Sequence, residues 1–244
     1  MKYNIKISLL IISLAVIVFL VTNSCKKELY SDDQPITDIE SNVYKTVKIG
    51  DQVWMAENLK TTKYADGSPI PLINTTATWD ALTTTSKAYC WYDDNITNKE
   101  TYGAIYTWTA AMNGAVSSTT NPSGVQGVCP TGWHIPSKDE WESLETYLGG
   151  FMVAGGKMKE TGTTLWTSPN TGATNLSGFS GLPSGERLND GTFHSISTLG
   201  VWWSSTKYFD TSDVWLWFLR YNISWSGSTD DSSDVGFSVR CVKD

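Results

Sequence analysis

The sequence predicts an α+β domain, with helices in its first half and strands in its second. Twelve tryptophans and a 12% aromatic share, against 18% charged residues, are typical of a folded core. Helical periodicity occurs only before residue 150, and from residue 151 onward short apolar bursts alternate with glycine, serine and threonine. Helices and strands that are segregated along the chain indicate an α+β fold. With no internal repeat and no second core, we expect one domain over residues 43–244.

Two segments carry the helical pattern. In residues 101–113, Ile105, Trp108 and Met112 recur at helical intervals, which predicts the first helix. The second begins at Ser137, where the S-x-x-E sequence predicts a capping box ahead of an apolar stripe that includes Trp141. Each helix would bury a tryptophan, so both are expected to belong to the core.

The strand predictions depend on turn residues and on apolar runs. Gly50-Asp51, flanked by β-branched residues, predicts a hairpin. The run from Val214 to Leu219 is continuously apolar, which predicts a strand that is buried on both faces.

The first 24 residues resemble a signal peptide. Lys2 and Lys6 precede an apolar run, residues 7–21, which is shorter than the roughly 20 residues of a membrane-spanning helix. Ser24-Cys25 after that run resembles a bacterial lipobox, which implies cleavage before Cys25 and attachment of lipid to it. A plain secretory signal or an uncleaved anchor is the alternative.

Residues 25–42 are polar and predict a tether between the lipid and the domain. The charged residues 26–33 resemble the tethers of surface lipoproteins of the Bacteroidetes. We therefore expect an outer-membrane protein that is lipid-anchored through Cys25 and exposed at the cell surface.

The charge of the chain argues against nucleic acid as a partner. The net charge is −7, and cleavage after residue 24 would remove two lysines and no acids. Nucleic acids and anionic lipids require clustered lysine and arginine, and the sequence has no basic stripe.

Three cysteines remain in what we expect to be an oxidising compartment. Cys129 opens a turn-rich motif and Cys241 lies in the last apolar stretch, so we predict a disulfide between them. In the loop-entropy model, closing the long loop from Cys129 to Cys241 stabilises the fold by about 4–5 kcal/mol. Cys90 is interpreted as a small buried hydrophobic residue, with a reactive thiol as the alternative.

Several segments resemble, in order, the Fibrobacter succinogenes major paralogous domain, a family of secreted bacterial proteins. The matching segments are residues 52–59, 89–93, 102–108, 129–136, 175–180, 202–206 and 236–241. The chain departs from the family at residues 183–187, where Ser184 replaces a glycine of the usual turn. The resemblance implies a C-type-lectin-like fold, related to formylglycine-generating-enzyme-like domains, with two helices, a loop-rich antiparallel sheet and strands that bring the chain ends together. It implies no activity, because a fold does not fix a function.

The residues favour binding over catalysis. His134 and His194 lie apart from any motif for zinc, a nucleophile or a relay, so we expect no catalytic residue and no cofactor, with an unrecognised enzyme as a minor alternative. Asp230, Asp231 and Asp234 carry the hard oxygen atoms that calcium prefers, although a solvated acidic loop is the simpler interpretation. No calcium-lectin motif supports a metal.

The tryptophans suggest where a ligand would bind. Aromatic faces stack on sugar rings while polar side chains bond the hydroxyl groups. Trp215, Trp217 and Trp225, with Arg220 and Asn222, are the predicted ligand residues, within the loop surface 207–235. We therefore expect a non-catalytic domain that binds an extracellular glycan or protein. The alternative is a structural or adhesin-like surface protein with no small-molecule ligand.

Overall fold

The computed structural model describes residues 34–209 and 211–244. The α-helices are α1 (Thr76–Asp80), α2 (Lys99–Tyr102), α3 (Trp108–Met112), α4 (Lys138–Tyr147) and α5 (Phe151–Met158). The strands are β1 (Ile36–Thr37), β2 (Val43–Tyr44), β3 (Thr46–Ile49), β4 (Gln52–Met55), β5 (Tyr89–Cys90), β6 (Ile105–Thr107), β7 (Trp133–His134), β8 (Glu186–Arg187), β9 (Phe193–His194), β10 (Leu199–Lys207), β11 (Asp213–Arg220), β12 (Ser226–Ser232), β13 (Gly236–Phe237) and β14 (Val242–Lys243).

All pairings between these strands are antiparallel, and they form four sheets. The sheet orders are β1-β2, β3-β4-β14-β7, β5-β6-β13-β8-β9 and β10-β11-β12. Val242 pairs with both Trp54 and His134, so the last strand lies beside the first hairpin and brings the ends of the domain together. Short helices with antiparallel sheets make this an α+β domain, as the sequence predicts. The predicted segregation is wrong, because strands β1 to β7 precede residue 150 and helix α5 follows it.

The three-stranded sheet β10-β11-β12 lies between the two largest hydrophobic clusters. Side chains alternate along a strand, so Val214 and Leu216 face one cluster while Trp217 and Leu219 face the other. Strand β11 is thus packed on both faces, as its continuous apolar run predicts. Its position fixes where the neighbouring strand β12 meets the helices.

Helix α4 begins where the sequence predicts. The Ser137 hydroxyl accepts the Glu140 N–H at 3.2 Å, and the Glu140 carboxylate accepts the Ser137 N–H at 3.0 Å, which completes a capping box. Trp141 and Leu144 are buried against β10 and β11.

The predicted helix over residues 101–113 is wrong. Ile105 to Thr107 instead form β6, which pairs with β5 and β13, and the helical residues are confined to the end of α2 (Thr101 and Tyr102) and to Trp108–Met112. Thr107 is extended and its hydroxyl accepts the Ala110 N–H, so it ends the strand and caps the helix. Sheet pairing of residues that are distant in sequence overrides the local helical pattern here.

Helix α5 was not predicted. It begins after Gly150 without a side-chain cap, which removes the usual signal for the start of a helix. A Cβ atom on Gly155 would lie 2.4 Å from the Trp225 carbonyl oxygen, so the glycine allows α5 to lie directly against the start of β12. This contact helps to position Trp225.

The folded domain extends N-terminal to residue 43. Ile36–Thr37 pair with Val43–Tyr44, and the buried Asp38 carboxylate accepts the Tyr44 hydroxyl at 2.7 Å. The predicted signal peptide and Cys25 lie outside the described residues. Within residues 34–209 and 211–244, no helix has both the length and the hydropathy needed to cross a membrane.

The predicted disulfide between Cys129 and Cys241 is confirmed. It joins the loop before β7 to the residue before β14, two strands that are themselves paired. Cys90 is a free, buried thiol in β5, and burial raises its pKa to about 12.

Candidate ligand-binding cavity

The twelve tryptophans, all within the described residues, divide into ten that are buried and two that reach solvent. The two are Trp215, which is partly buried, and Trp225, which is 38% exposed. Most of the tryptophan content therefore belongs to the core, and only these two rings can meet a ligand at the surface.

Trp217 is a core residue, which corrects its prediction as a ligand residue. It is 1% exposed, and its ring stacks on Trp141 with 5.8 Å between centroids and 7° between planes. Its indole N–H donates to the Glu145 carboxylate at 3.0 Å. Trp217 is buried because its side of β11 faces α4.

Trp225 borders a cavity of about 380 Å³ at the junction of α4, α5 and β12. The cavity is lined by Glu142, Glu145, Phe151, Trp225, Ser226, Gly227 and Ser228. Phe151 is 56% exposed, so two aromatic side chains and two carboxylates share one opening.

Neighbouring side chains hold the Trp225 ring. Phe218 meets it edge to face, with 5.7 Å between ring centroids. A Cβ atom on Gly227 would lie 2.2 Å from the Phe218 ring and 2.7 Å from the Trp225 ring, so only glycine fits between them. The indole is therefore a fixed wall of the cavity.

Glu145 supplies a carboxylate with a defined orientation. Its Oε1 atom accepts the Trp217 indole N–H at 3.0 Å and the Ser226 hydroxyl at 2.6 Å. Both bonds fall on Oε1, which leaves Oε2 for other partners. Burial raises the pKa of Glu145, while the hydrogen bonds from Ser226 and Trp217 oppose that shift.

Glu142 lies one turn earlier on the same helix. Residues three apart on a helix are surface neighbours, which places Glu142 and Glu145 on the same side of α4. Glu142 forms an ion pair with Lys138, and both side chains are partly exposed. Such exposed pairs contribute little to stability, so a ligand can replace Lys138 as the partner of Glu142.

Arg220 and Asn222 do not line the Trp225 cavity. They lie with Tyr221 at a separate cavity of about 300 Å³, whose wall also includes Glu186 and Ser195. Burial raises the pKa of Glu186. The predicted ligand residues therefore do not form one site.

Trp215 lies in a third environment. Its ring meets Tyr208 edge to face, with 4.9 Å between centroids, and the Lys138 ammonium lies 5.6 Å from its ring centre. It is absent from the lining of both cavities described above. Of the five predicted ligand residues, only Trp225 lines the cavity that combines aromatic rings with carboxylates.

The predicted metal candidates lie at the far end of β12. Asp230 and Asp231 are strand residues that pair with Trp215 and Val214, and Asp234 follows in the next turn. Burial raises the pKa of Asp231, and the nearby acidic residues add to the shift. Within the described parts of the chain, no group of three or more His, Cys, Asp or Glu side chains is arranged to hold a metal ion.

A further cavity of about 290 Å³ lies above Asn58. Its charged wall residues are Lys45, Glu57, Lys60, Glu100 and Glu160. Lys60 and Glu100 are paired at 2.6 Å across this wall. The cavity therefore mixes both signs of charge and has no aromatic lining.

Asn58 lines this cavity, and its side chain contacts residues from several of the matching motifs. Its side-chain oxygen accepts the Trp202 indole N–H at 2.8 Å and the Arg240 Nε–H at 2.9 Å. Its amide donates to the Tyr102 carbonyl and the Ser238 hydroxyl. Every hydrogen-bonding atom of this amide has a partner inside the protein, so Asn58 holds the fold together.

Arg240 is fully buried in the same region, which no pattern in the sequence predicted. Its guanidinium donates to the Met55, Phe179 and Ser180 carbonyls as well as to Asn58. It also lies 4.1 Å from the centre of the Phe179 ring. Among the residues that the structure describes, these carbonyls and Asn58 bind the cation without a carboxylate partner.

Two other cations are buried, one bound by carbonyls alone and the other also by a carboxylate. The Lys159 ammonium donates to three backbone carbonyls, of Thr171, Arg220 and Ile223, at 2.8 to 3.0 Å, and burial lowers its pKa to about 8. Arg187 donates to the Asp94 carboxylate and lies between the rings of Trp79 and Phe193. These cations tie loops to the core.

His134 is a buried structural residue. Its Nδ1 contacts the Asp244 carboxylate and its Nε2 the Glu140 carboxylate, both at 2.7 Å. Burial lowers the pKa of His134, but the two carboxylates outweigh burial and raise it above its ordinary value. Both ring nitrogens are occupied, so the imidazole links the start of α4 to the chain end.

Three lining residues of the Trp225 cavity were missed from the sequence. Glu142 and Glu145 lie on α4, for which the sequence predicts only a core-packing role, and Phe151 lies on a helix that was not predicted. The available signal was the run Phe151-Met152-Val153, three large apolar residues after two glycines, all of which are exposed.

A family comparison agrees with the motifs. The model of the Fibrobacter succinogenes major domain matches residues 47–243. The chain belongs to this family. Comparison with curated proteins and with solved structures found no match. The match covers the motif residues around Asn58 and both cysteines of the Cys129–Cys241 disulfide, and the function must be inferred from the chain itself.

Proposed function

We propose that this protein is a cell-surface lipoprotein whose domain binds an extracellular glycan without catalysing a reaction. The observation that carries the proposal is the Trp225 cavity, where an exposed indole stands beside Phe151, two carboxylates and the hydroxyls of Ser226 and Ser228. Aromatic faces pack on the C–H faces of sugars, and carboxylates and hydroxyls bond sugar hydroxyls.

The anchoring part of the proposal comes from the N-terminal sequence. A signal peptide over residues 1–24 and a lipid on Cys25 would hold the domain at the outer membrane, facing outward. Metabolic labelling with a radioactive fatty acid tests this, and the Cys25→Ser variant is expected to take up no label. Labelling of that variant would contradict the lipid attachment.

The fold part of the proposal is a C-type-lectin-like arrangement. The paired strands β4 and β14 bring the chain ends together, and a helix packs on the central sheet, as this arrangement requires. In this account the ligand surface is formed where β12 meets the helices, a part of the predicted surface 207–235.

A glycan array probed with the full-length chain tests the function. We expect binding to one class of glycan, reduced roughly two- to tenfold by Trp225→Ala, because an aromatic contact contributes about 0.5–1.5 kcal/mol beyond the area that it buries. Trp215→Ala is the matched control, because it removes a partly exposed indole outside the cavity. Circular dichroism checks that both variants fold.

Two outcomes would count against this function. Loss of binding in Trp215→Ala but not in Trp225→Ala would place the ligand elsewhere. The absence of any glycan signal would favour a structural or adhesin-like surface protein instead.

A further inference from the structure

We propose that the Trp225 cavity selects glycans that carry a protonated amine, such as amino sugars, over neutral glycans. This inference rests on the proposed glycan binding and specifies its ligand.

The wall of the cavity carries one sign of charge. Glu142 and Glu145 are its ionisable residues, and no lysine or arginine is among the described residues that line it. The other two cavities differ, because one contains Arg220 beside Glu186 and the other contains paired Lys60 and Glu100. Of the three cavities, only the Trp225 cavity has carboxylates but no cationic side chain in its lining.

The carboxylate that lies deepest is oriented before any ligand arrives. Trp217 and Ser226 both donate to Oε1 of Glu145, and Trp217 is itself locked by stacking on Trp141. The other oxygen of Glu145 needs no rearrangement to accept a charged N–H group. Hydrogen bonds between two charged groups are about twice as strong as those between neutral groups.

The aromatic rings favour the same ligand. A cation over the face of an indole is attracted by the negative charge of its π system, and Trp is the strongest of the aromatic residues in this role. Trp225 and Phe151 are the exposed rings of the cavity, and Phe218 fixes the first of them. Carboxylates and rings around one opening form a site for an ammonium group.

Lys138 competes with a ligand amine for Glu142, because the two side chains form an ion pair. This pair is partly exposed and of i, i+4 type, so its contribution is small and a ligand amine can displace it. Glu145 has no such ion pair among the described residues. The net charge of −7 also favours the approach of cationic ligands.

Isothermal titration of the full-length chain with two matched oligosaccharides tests the proposal. One is an oligomer of glucosamine and the other is its N-acetylated counterpart, which has the same backbone without the charge. We expect the amine form to bind about tenfold more tightly, at a pH where the amine is protonated. The preference should shrink as salt is added, because salt screens charge attraction.

The double variant Glu142→Gln, Glu145→Gln removes both negative charges of the cavity wall and so measures their contribution to binding. Glutamine can still accept the hydrogen bonds from Trp217 and Ser226, so the wall keeps its shape. We expect the double variant to bind both oligomers equally, with unchanged affinity for the acetylated form. Glu186→Gln, in the neighbouring cavity, is the control and should keep the preference.

The outcomes separate the two proposals. Equal binding of both oligomers by the unmodified chain, or a preference that persists in the double variant, would overturn amine selection and leave glycan binding intact. Failure of both oligomers to bind would overturn amine selection, and a blank glycan array would then overturn the proposed function as well.

Discussion

The Arg240 site and the Trp225 cavity both place charged groups against aromatic rings, yet they differ in how many polar atoms already have partners. At Arg240, three carbonyls and the Asn58 oxygen accept hydrogen bonds from the guanidinium, and the ring of Phe179 packs against it. At the cavity, the hydrogen bonds of Glu145 all fall on one oxygen, and the Trp225 indole is 38% exposed.

This difference shows what separates a structural site from a binding site in this molecule. A buried charge without partners costs several kcal/mol, so a fold tolerates one only when it is saturated. A binding site keeps some hydrogen-bonding capacity and some apolar surface for its ligand. The count of partners, not the presence of charge and aromatic rings, distinguishes the two regions.

The largest expected effect is at the saturated site. Arg240→Met leaves the Met55, Phe179 and Ser180 carbonyls without their donor, so we expect the free energy of unfolding to fall by about 4 kcal/mol. Arg220→Met is the matched control, because Arg220 is exposed and the change should stay within about 0.5 kcal/mol. Denaturant unfolding measures both. Equal losses in the two variants would contradict the assignment of Arg240 as a saturated structural site.

A smaller effect should appear as a pH dependence of stability from His134. Glu140 and Asp244 raise the pKa of His134 in the folded state, despite the opposing effect of burial. The stabilisation is therefore fully present below the unfolded pKa of about 6.5 and is lost as pH rises through the higher folded value. We expect the midpoint of thermal unfolding to decrease across that window.

Two histidine variants test the assignment of that pH dependence. His134→Gln should flatten the decrease, whereas His194→Gln, at an exposed position, should leave it unchanged. A pH profile that is identical in the unmodified chain and in His134→Gln would show that another group is responsible.

Local signals in the sequence predicted the parts of the fold that are determined locally. The capping box at Ser137 and the hairpin at Gly50-Asp51 depend on near neighbours, and the structure has both. The helix over residues 101–113 failed because Ile105 and Tyr106 pair with β5, which the periodicity of one segment cannot reveal. Its pattern of apolar residues fits a strand followed by one helical turn equally well.

The candidate site was predicted in part. Residue type and region predicted Trp225 correctly as a cavity residue. They also predicted Trp217, which is buried, because residue type and region do not distinguish the two indoles. Which of these indoles reaches solvent depends on how α4 and α5 pack against β11 and β12. Glu145 was missed for the same reason, since a helical glutamate becomes part of a cavity only through tertiary contacts.

The central claim is that the Trp225 cavity binds a glycan while the other tryptophans hold the core. Indole N–H resonances in a ¹H–¹⁵N NMR spectrum report on each of the twelve tryptophans, with single Trp→Phe variants to assign them. On addition of the glucosamine oligomer, we expect the Trp225 resonance to shift, together with that of Trp217, which donates to Glu145. The Trp202 and Trp203 resonances should stay in place. Unchanged resonances for Trp225 and Trp217, or a shift confined to Trp215, would contradict the claim.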